Sequence, residues 1–162
     1  MEINMNEKEK MSFTVRELGA SDESLVNEFF DAMGGESRAL FNRRDYNRRG
    51  ALKYCRTKDK TRRYYVFLSE EKIAGYVFFL DFHTTVPELG IALRDELAGQ
   101  GIGGELMRFA IDTAREAGAG GIQLTTHVAN VRAQALYEKH GFECRGLTKN
   151  GMELFYLLKF IK

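Results

Sequence analysis

Two groups of residues in the second half of the chain have types and spacing that could do chemistry. The first is Leu93-Arg94-Asp95-Glu96-Leu97-Ala98-Gly99-Gln100-Gly101-Ile102-Gly103-Gly104-Glu105-Leu106, where glycines stand between an apolar run and a helical one. Small residues at such a junction let backbone N–H groups approach an anion. The helix that follows adds its unpaired amides and positive dipole end. A phosphate or pyrophosphate site is the functional reading, and a glycine turn that permits tight strand–helix packing is the structural one. Gly99-x-Gly101-x-x-Gly104 spells the dinucleotide fingerprint, but that motif requires an acidic residue about 20 positions on. Residues 117–129 contain no Asp or Glu, and no Gly-Lys-Ser/Thr follows the glycines, which also excludes a P-loop. The second group is Asn130-Val131-Arg132-Ala133-Gln134-Ala135-Leu136-Tyr137-Glu138-Lys139-His140-Gly141-Phe142. Among the other titratable groups, His83, His127 and His140 read as solvated or helix-end residues. Cys55 and Cys144 read as packing residues.

The elements that must position these groups follow from periodicity. Phe13–Leu18 alternates as a strand. Ser21 is a candidate N-cap for a helix carrying Leu25, Val26, Phe29, Phe30 and Met33, ended by Gly34-Gly35. A second helix is expected from Ser37 to about Arg48. Strands are expected at Tyr64–Leu68, Ile73–Phe82 and Glu88–Leu93, the last preceded by the single proline, Pro87. Ile102, Leu106, Phe109, Ala110, Thr113 and Ala117 mark an amphipathic helix ending near Gly118. A strand at Ile122–Thr126, a helix at Asn130–His140 and strands at Phe142–Thr148 and Met152–Phe160 complete the order. Asn150-Gly151 between the last two suits a type I′ turn. This is a mixed α/β (α+β) domain over 13–162, with 1–12 read as a flexible leader.

Composition agrees with a globular chain: 162 residues, 44% hydrophobic, 29% charged, two cysteines. That excludes a disordered chain, a disulfide framework and a metal knuckle. No apolar run reaches membrane-spanning length and no secretory signal is visible, so a cytoplasmic location without membrane association is expected. The net charge of +1 argues against a chain built to wrap nucleic acid. It conceals a segment, Arg43 to Arg63, with ten Lys or Arg against two Asp, a net of +8. That segment has three readings: a solvated face balanced elsewhere, recognition of phosphates or an acidic acceptor, or nucleic-acid association.

Taken together, the glycine loop and the later element resemble the GCN5-related N-acetyltransferase (GNAT) superfamily. The family's loop pattern, Gln/Arg-x-x-Gly-x-Gly/Ala, stands here as Ala98-Gly99-Gln100-Gly101-Ile102-Gly103. Its Asn-x-x-Ala-x-x-Leu/Phe-Tyr-x-x-x-Gly-Phe element matches at Asn130, Ala133, Leu136, Tyr137, Gly141 and Phe142. The motif match covers 88–142, and the element order covers about 13–160. The departure is Ala98, where the family carries Gln or Arg. One side-chain contact to the pyrophosphate is then absent, leaving backbone amides, with Gln100 or Arg94 as substitutes.

The resemblance implies an acyl-CoA N-acyltransferase fold: a mostly antiparallel sheet of about seven strands, splayed in the middle and flanked by about four helices. It implies acetyl-CoA as co-substrate, no metal, and an amine acceptor, either a small molecule or a protein amino group. It assigns cofactor contacts to Ile91, Ala92 and Leu93 on the strand, to Gly99, Gln100, Gly101, Ile102, Gly103 and Gly104 in the loop, and to Asn130, Ala133 and Tyr137. Direct attack of a neutral amine on the thioester needs an N–H donor for the oxyanion and an acid for the leaving thiolate. Tyr137 is that acid, its other reading being a ring packed under the cofactor or in the core. Asn130 equally suits a helix N-cap. Glu88 is the candidate general base, against a strand-edge carboxylate; Asp81 and His83 lie close by in sequence. Polyamine, amino acid, aminoglycoside and protein N-terminus all remain open as acceptors, as does a homodimer. The alternative function is a non-catalytic acyl-CoA-binding sensor on the same fold.

Overall fold

Alternating apolar residues build the first long strand and, with it, the two layers of the molecule. The computed structural model describes residues 2–4, 12–42, 45–148 and 150–160. Among them, strands β1 (Glu2–Asn4), β2 (Ser12–Glu17), β3 (Arg63–Ser69), β4 (Lys72–Leu80), β5 (Glu88–Leu93), β6 (Gly121–His127), β7 (Glu143–Leu147) and β8 (Glu153–Lys159) form one eight-stranded sheet. Its order is β1-β2-β3-β4-β5-β6-β8-β7. Helices α1 (Glu23–Asp31), α2 (Gly35–Phe41) and α3 (Tyr46–Thr57) precede β3, α4 (Ile102–Glu116) joins β5 to β6, and α5 (Val131–Lys139) joins β6 to β7.

The side-chain period of two sorts each strand onto two cores. On one face Phe13, Phe67, Val77, Phe79 and Leu89 pack with Leu106, Met107 and Ala110 of α4 and with Tyr137 of α5. On the other, Val66, Tyr76 and Phe78 pack with Val26, Phe29 and Phe30 of α1 and with Ala51, Tyr54 and Cys55 of α3. The middle of β4 is covered on both sides, so Ile73–Phe79 are all buried.

The feature that makes a site is the junction of β5 and β6. It is the only parallel pair among the described strands, and its register is one residue pair deep, Glu88 with Gln123. Just before it the chains are pinned: the Gln123 amide N–H donates to the Pro87 carbonyl at 3.0 Å, and the Gln123 side chain donates to the Val86 carbonyl at 2.8 Å. Beyond Glu88 the two strands part, leaving a wedge between the halves of the sheet.

Four local expectations need correction. Glu2–Asn4, within the segment read as a leader, pair antiparallel with Ser12–Thr14 as an edge strand; residues 5–11 lie outside the described residues. The N-cap of α1 is Asp22, not Ser21, and its carboxylate accepts from the Gly19 amide at 2.7 Å and from Arg16. The helix expected over 37–48 is two helices. Buried Asn42 breaks the first and accepts from the amides of Asn47 (3.0 Å) and Arg48 (3.1 Å), so its side chain starts α3. The heavy charge of α3 hides a short apolar face, Ala51, Tyr54 and Cys55. Finally, β7 ends at Leu147 and β8 starts at Glu153, farther apart than a two-residue turn allows. There the Asn150 side-chain oxygen accepts from Thr148 Oγ1 and from the Met152 amide.

Candidate active site

The wedge opens into a cleft of about 1540 Å³ that runs across the sheet. Its floor is β5 with Phe78 and Leu80 of β4, one wall is the glycine loop with α4 and α5, and the other is the α1–α2 turn and α2.

The glycine wall is made of backbone. Gly99 and Gly101 sit at φ +81° and +83°, the left-handed region that L side chains rarely adopt. Gly101 is the N-cap of α4 and no side chain caps that helix. The first-turn amides of an α-helix have no intrahelical partner, so those of Ile102, Gly103 and Gly104 are available where Gly101, Gly103 and Gly104 line the cleft. The Ile102 side chain is buried in the core, so only its main chain can face a ligand. Neither expected substitute for the missing Ala98 side chain serves the loop. Arg94 is held by Glu28 (3.0 Å from Nη1) and by the Ile73 carbonyl (2.7 Å from Nη2). The Gln100 side chain donates to the Glu96 carbonyl at 3.1 Å. Positive charge at this end of the cleft comes instead from Arg108, Arg132 and Lys139.

Helix α5 closes the same wall. The Asn130 side-chain oxygen accepts from the Ala133 amide at 3.2 Å, so it is a working N-cap, and both residues line the cleft. Tyr137 also lines the cleft while its ring is buried, 5.9 Å from Phe142 and 5.8 Å from Tyr156 between centroids. Its hydroxyl has no hydrogen-bond partner among the described residues. Burial, and then Tyr156, pushes the phenol well above its ordinary range, so it stays protonated.

Glu88 stands at the apex, half-buried, where β5 leaves β6. Its carboxyl is pushed up, first by burial and then by the charges of Asp81 and Glu153. Glu153 lines the cleft too and accepts from Thr125 Oγ1 at 3.3 Å. Ile91, Ala92 and Leu93 line the floor beyond Glu88. The structure therefore brings Glu88, Tyr137, Asn130, Ala133, residues 91–93 and Gly99, Gly101, Gly103 and Gly104 to one cavity. Gln100 and the Ile102 side chain are outside its lining. Glu153 and Thr125 escaped sequence reasoning, because they carry no motif and reach the cleft only through tertiary packing.

Other candidates fall away. His83 is exposed, and His127 Nδ1 accepts from the Ala129 amide at 3.0 Å. Cys55 is buried, which raises its thiol to about 11. In the basic segment, Arg48 pairs with Asp31 and Asp45, Arg56 with Glu23, Lys58 with Glu17 and Arg62 with Asp59. Arg43 and Arg44 lie outside the described residues, and of the described segment only Tyr46 and Asn47 line the cleft. Among the described residues no group of three or more His, Cys, Asp or Glu could hold a metal ion, and no helix is long and apolar enough to cross a membrane.

The sequence matches the Acetyltransferase (GNAT) family over residues 24–142, a stretch that contains both motifs and the whole splayed junction. The chain belongs to this family. A putative [ribosomal protein bS18]-alanine N-acetyltransferase of Bacillus subtilis is 32% identical over 87 residues, 54% of this chain and 58% of that protein. The chain thus spans little more than half the length of the curated relatives it matches. Among solved structures, ribosomal-protein-S5-alanine acetyltransferase from Vibrio fischeri superposes with a TM-score of 0.79 at 18% identity, covering 98% of this chain and 96% of that one. A putative acetyltransferase, yncA, from Salmonella typhimurium, solved with acetyl-CoA, gives 0.73 at 18% identity over 93% and 95%. These likenesses establish the GNAT fold, with β1 and α3 added to the elements expected from sequence.

Proposed function

We propose that this GNAT chain transfers an acetyl group from acetyl-CoA to a primary amine by direct attack in a ternary complex. The observation that carries the reading is the convergence on one cleft of an uncapped helix N-terminus, a half-buried carboxylate and a phenol whose ring is buried in the cleft wall. The loop amides and the α4 dipole bind the pyrophosphate, which suits a site whose first loop position is Ala98. The main chain of β5 beyond Glu88, freed from β6, supplies the N–H donor for the oxyanion.

Two side chains and solvent water balance the protons: a cationic amine gives up two on becoming an amide, one released to water and one matching the proton that Tyr137 gives to sulfur and regains through water. The nitrogen must be neutral to attack, and Glu88, raised towards neutrality, accepts the proton it gives up, directly or through water. The C–N bond forms, the C–S bond breaks, and the Tyr137 hydroxyl donates to the departing sulfur. A phenol held protonated can act as that donor at neutral pH. Two carboxylates, Glu88 and Glu153, face the acceptor half, so the acceptor arrives as a cation and is deprotonated in place. An α-amino group, with a pKa of about 7.7–8.0 against about 10.4 for lysine, makes the smaller demand on one carboxylate. A protein N-terminal amine is therefore the acceptor class to test first, in keeping with the two alanine N-acetyltransferase relatives.

The test is release of CoA thiol from acetyl-CoA against a panel of N-terminal peptides, amino acids and polyamines, with the acetylated product identified by mass. Acetylated amine in step with thiol supports the reading. Tight acetyl-CoA binding without turnover across the panel overturns it in favour of an acyl-CoA sensor.

A further inference from the structure

The two halves of the cleft are tied together by one side chain that stands just before the glycines. Asp95 lies in a single 3-10 turn, Asp95–Leu97, between the end of β5 and the glycine loop. Its carboxylate reaches across the cleft to the start of α2. Oδ2 accepts from the Gly34 amide at 2.7 Å, and Oδ1 accepts from Ser37 Oγ at 2.6 Å. Gly34 is the N-cap of α2, and Asp95 accepts from its amide, doing from 61 residues away what the third residue of a capping box does locally. The fit is close: a Cβ on Gly34 would lie 3.0 Å from Asp95 Oδ2.

Helix α2 needs such a tether. It spans seven residues and buries none of them, and helices this short have little stability of their own. Its other fastenings lie elsewhere. Arg38 donates to the carbonyls of Phe30 and Met33, and the Phe41 ring stacks on Phe30 at the C-terminal end. The N-terminal turn, which presents Gly35, Glu36 and Ser37 to the cleft, is held by Asp95. The turn that carries Asp95 is itself anchored, through the neighbouring Arg94, to Glu28 of α1.

We infer that Asp95 is a positioning residue: it clasps α2 to the turn preceding the glycine loop, so that ordering the loop on acetyl-CoA sets the wall that receives the acceptor. The inference rests on the acetyltransferase reading for its kinetic consequence but not for its structural one. Linkage requires that a loop tied to α2 pass part of its ordering to α2 when the donor binds.

The experiment compares the wild-type chain with Asp95→Ala, Asp95→Asn and Ser37→Ala by amide hydrogen exchange, with and without acetyl-CoA, and by initial rates with the best amine. In the wild type, acetyl-CoA slows exchange in both the glycine loop and α2. In Asp95→Ala the loop remains protected and α2 does not. Acceptor KM rises about tenfold, while kcat and acetyl-CoA KM move less than about twofold. Asp95→Asn, which keeps an accepting oxygen, and Ser37→Ala, which loses one bond, fall between. The clasp is overturned if α2 protection is the same in Asp95→Ala as in the wild type. It is equally overturned if acceptor KM is unmoved, or if kcat and both KM values deteriorate together. If acetyl-CoA protects the loop and α2 but no amine is acetylated, the acetyltransferase reading fails and the exchange pattern alone decides the clasp. If acetyl-CoA protects neither segment in the wild type, the clasp fails with the donor site.

Discussion

The α4–α5 wall of the cleft offers a ligand chiefly main chain, left-handed glycines and unpaired amides, with the Tyr137 phenol and the basic side chains of Arg108, Arg132 and Lys139 beside them. The rest of the cleft offers side chains borrowed from five segments: Glu88 from the floor strand β5, Glu153 from β8, Phe41 from α2, Tyr46 from α3 and Asp95 from the turn before the glycine loop. A wall of main chain can bind only what main chain recognises, an anion and an extended thioester arm. A wall of side chains is free to change with the acceptor. One half of the cleft is thereby committed chemically and the other is adjustable.

That division can be broken or sharpened by substitution. The largest effect is expected from Tyr137→Phe, which keeps the buried ring and removes the only proton the donor wall offers the sulfur. kcat should fall about 100-fold or more, the usual yield of a positioned acid, with acetyl-CoA affinity by calorimetry little changed. An unchanged kcat would reduce Tyr137 to a packing residue. Glu88→Gln should lower kcat/KM at neutral pH by about 10- to 100-fold and abolish the acid limb of the pH profile. In the wild type that limb follows the base form. Activity rises as pH climbs through the raised Glu88 pKa, so its midpoint lies above the ordinary carboxylate value of about 4.3. Glu153→Gln removes one of the charges that raise Glu88, so it should move the limb to lower pH and weaken a cationic acceptor a few-fold. A limb displaced upward would contradict this electrostatic account.

Gly101→Ala tests the other wall. At φ +83° a Cβ is strained by about 1 kcal/mol or more. Acetyl-CoA KM should rise about tenfold, with the acceptor KM less affected. The smallest effect belongs to the basic segment. Arg48→Ala severs contacts to Asn27, Asp31 and Asp45 and should cost about 1–2 kcal/mol of stability in a denaturant titration. Neither KM should move more than about twofold. A large rise in KM would restore the segment as a recognition element.

The same division explains what sequence could show. Gly99, Gly101, Asn130 and Tyr137 are constrained by backbone geometry and helix register, so their spacing is visible along the chain. The strands around them are placed by alternation in β2 and by runs of β-branched and aromatic residues in β3 and β4. The α3 helix was hidden because Ala51, Tyr54 and Cys55 are submerged among arginines and lysines, and because its start depends on Asn42, whose burial no local pattern announces. The +8 segment allowed an anionic partner, but among its described residues Arg48, Arg56 and Lys58 already meet Asp31, Glu23 and Glu17 elsewhere in the fold. Charge counted along a chain does not say which charges neighbours have already met. Asp95 was invisible for the same reason: its partners stand about 60 residues upstream, and nothing local marks the clasp.

The central claim is that both walls serve one reaction, and a single assay addresses it most directly. Wild-type chain is mixed with acetyl-CoA and the amine panel, and thiol release is followed beside mass analysis of the amine. The account predicts saturable thiol release that depends on the amine, with one acetyl group appearing on nitrogen for each thiol freed. Saturable acetyl-CoA binding with no amine-dependent thiol release, across N-terminal peptides, amino acids and polyamines alike, would contradict it.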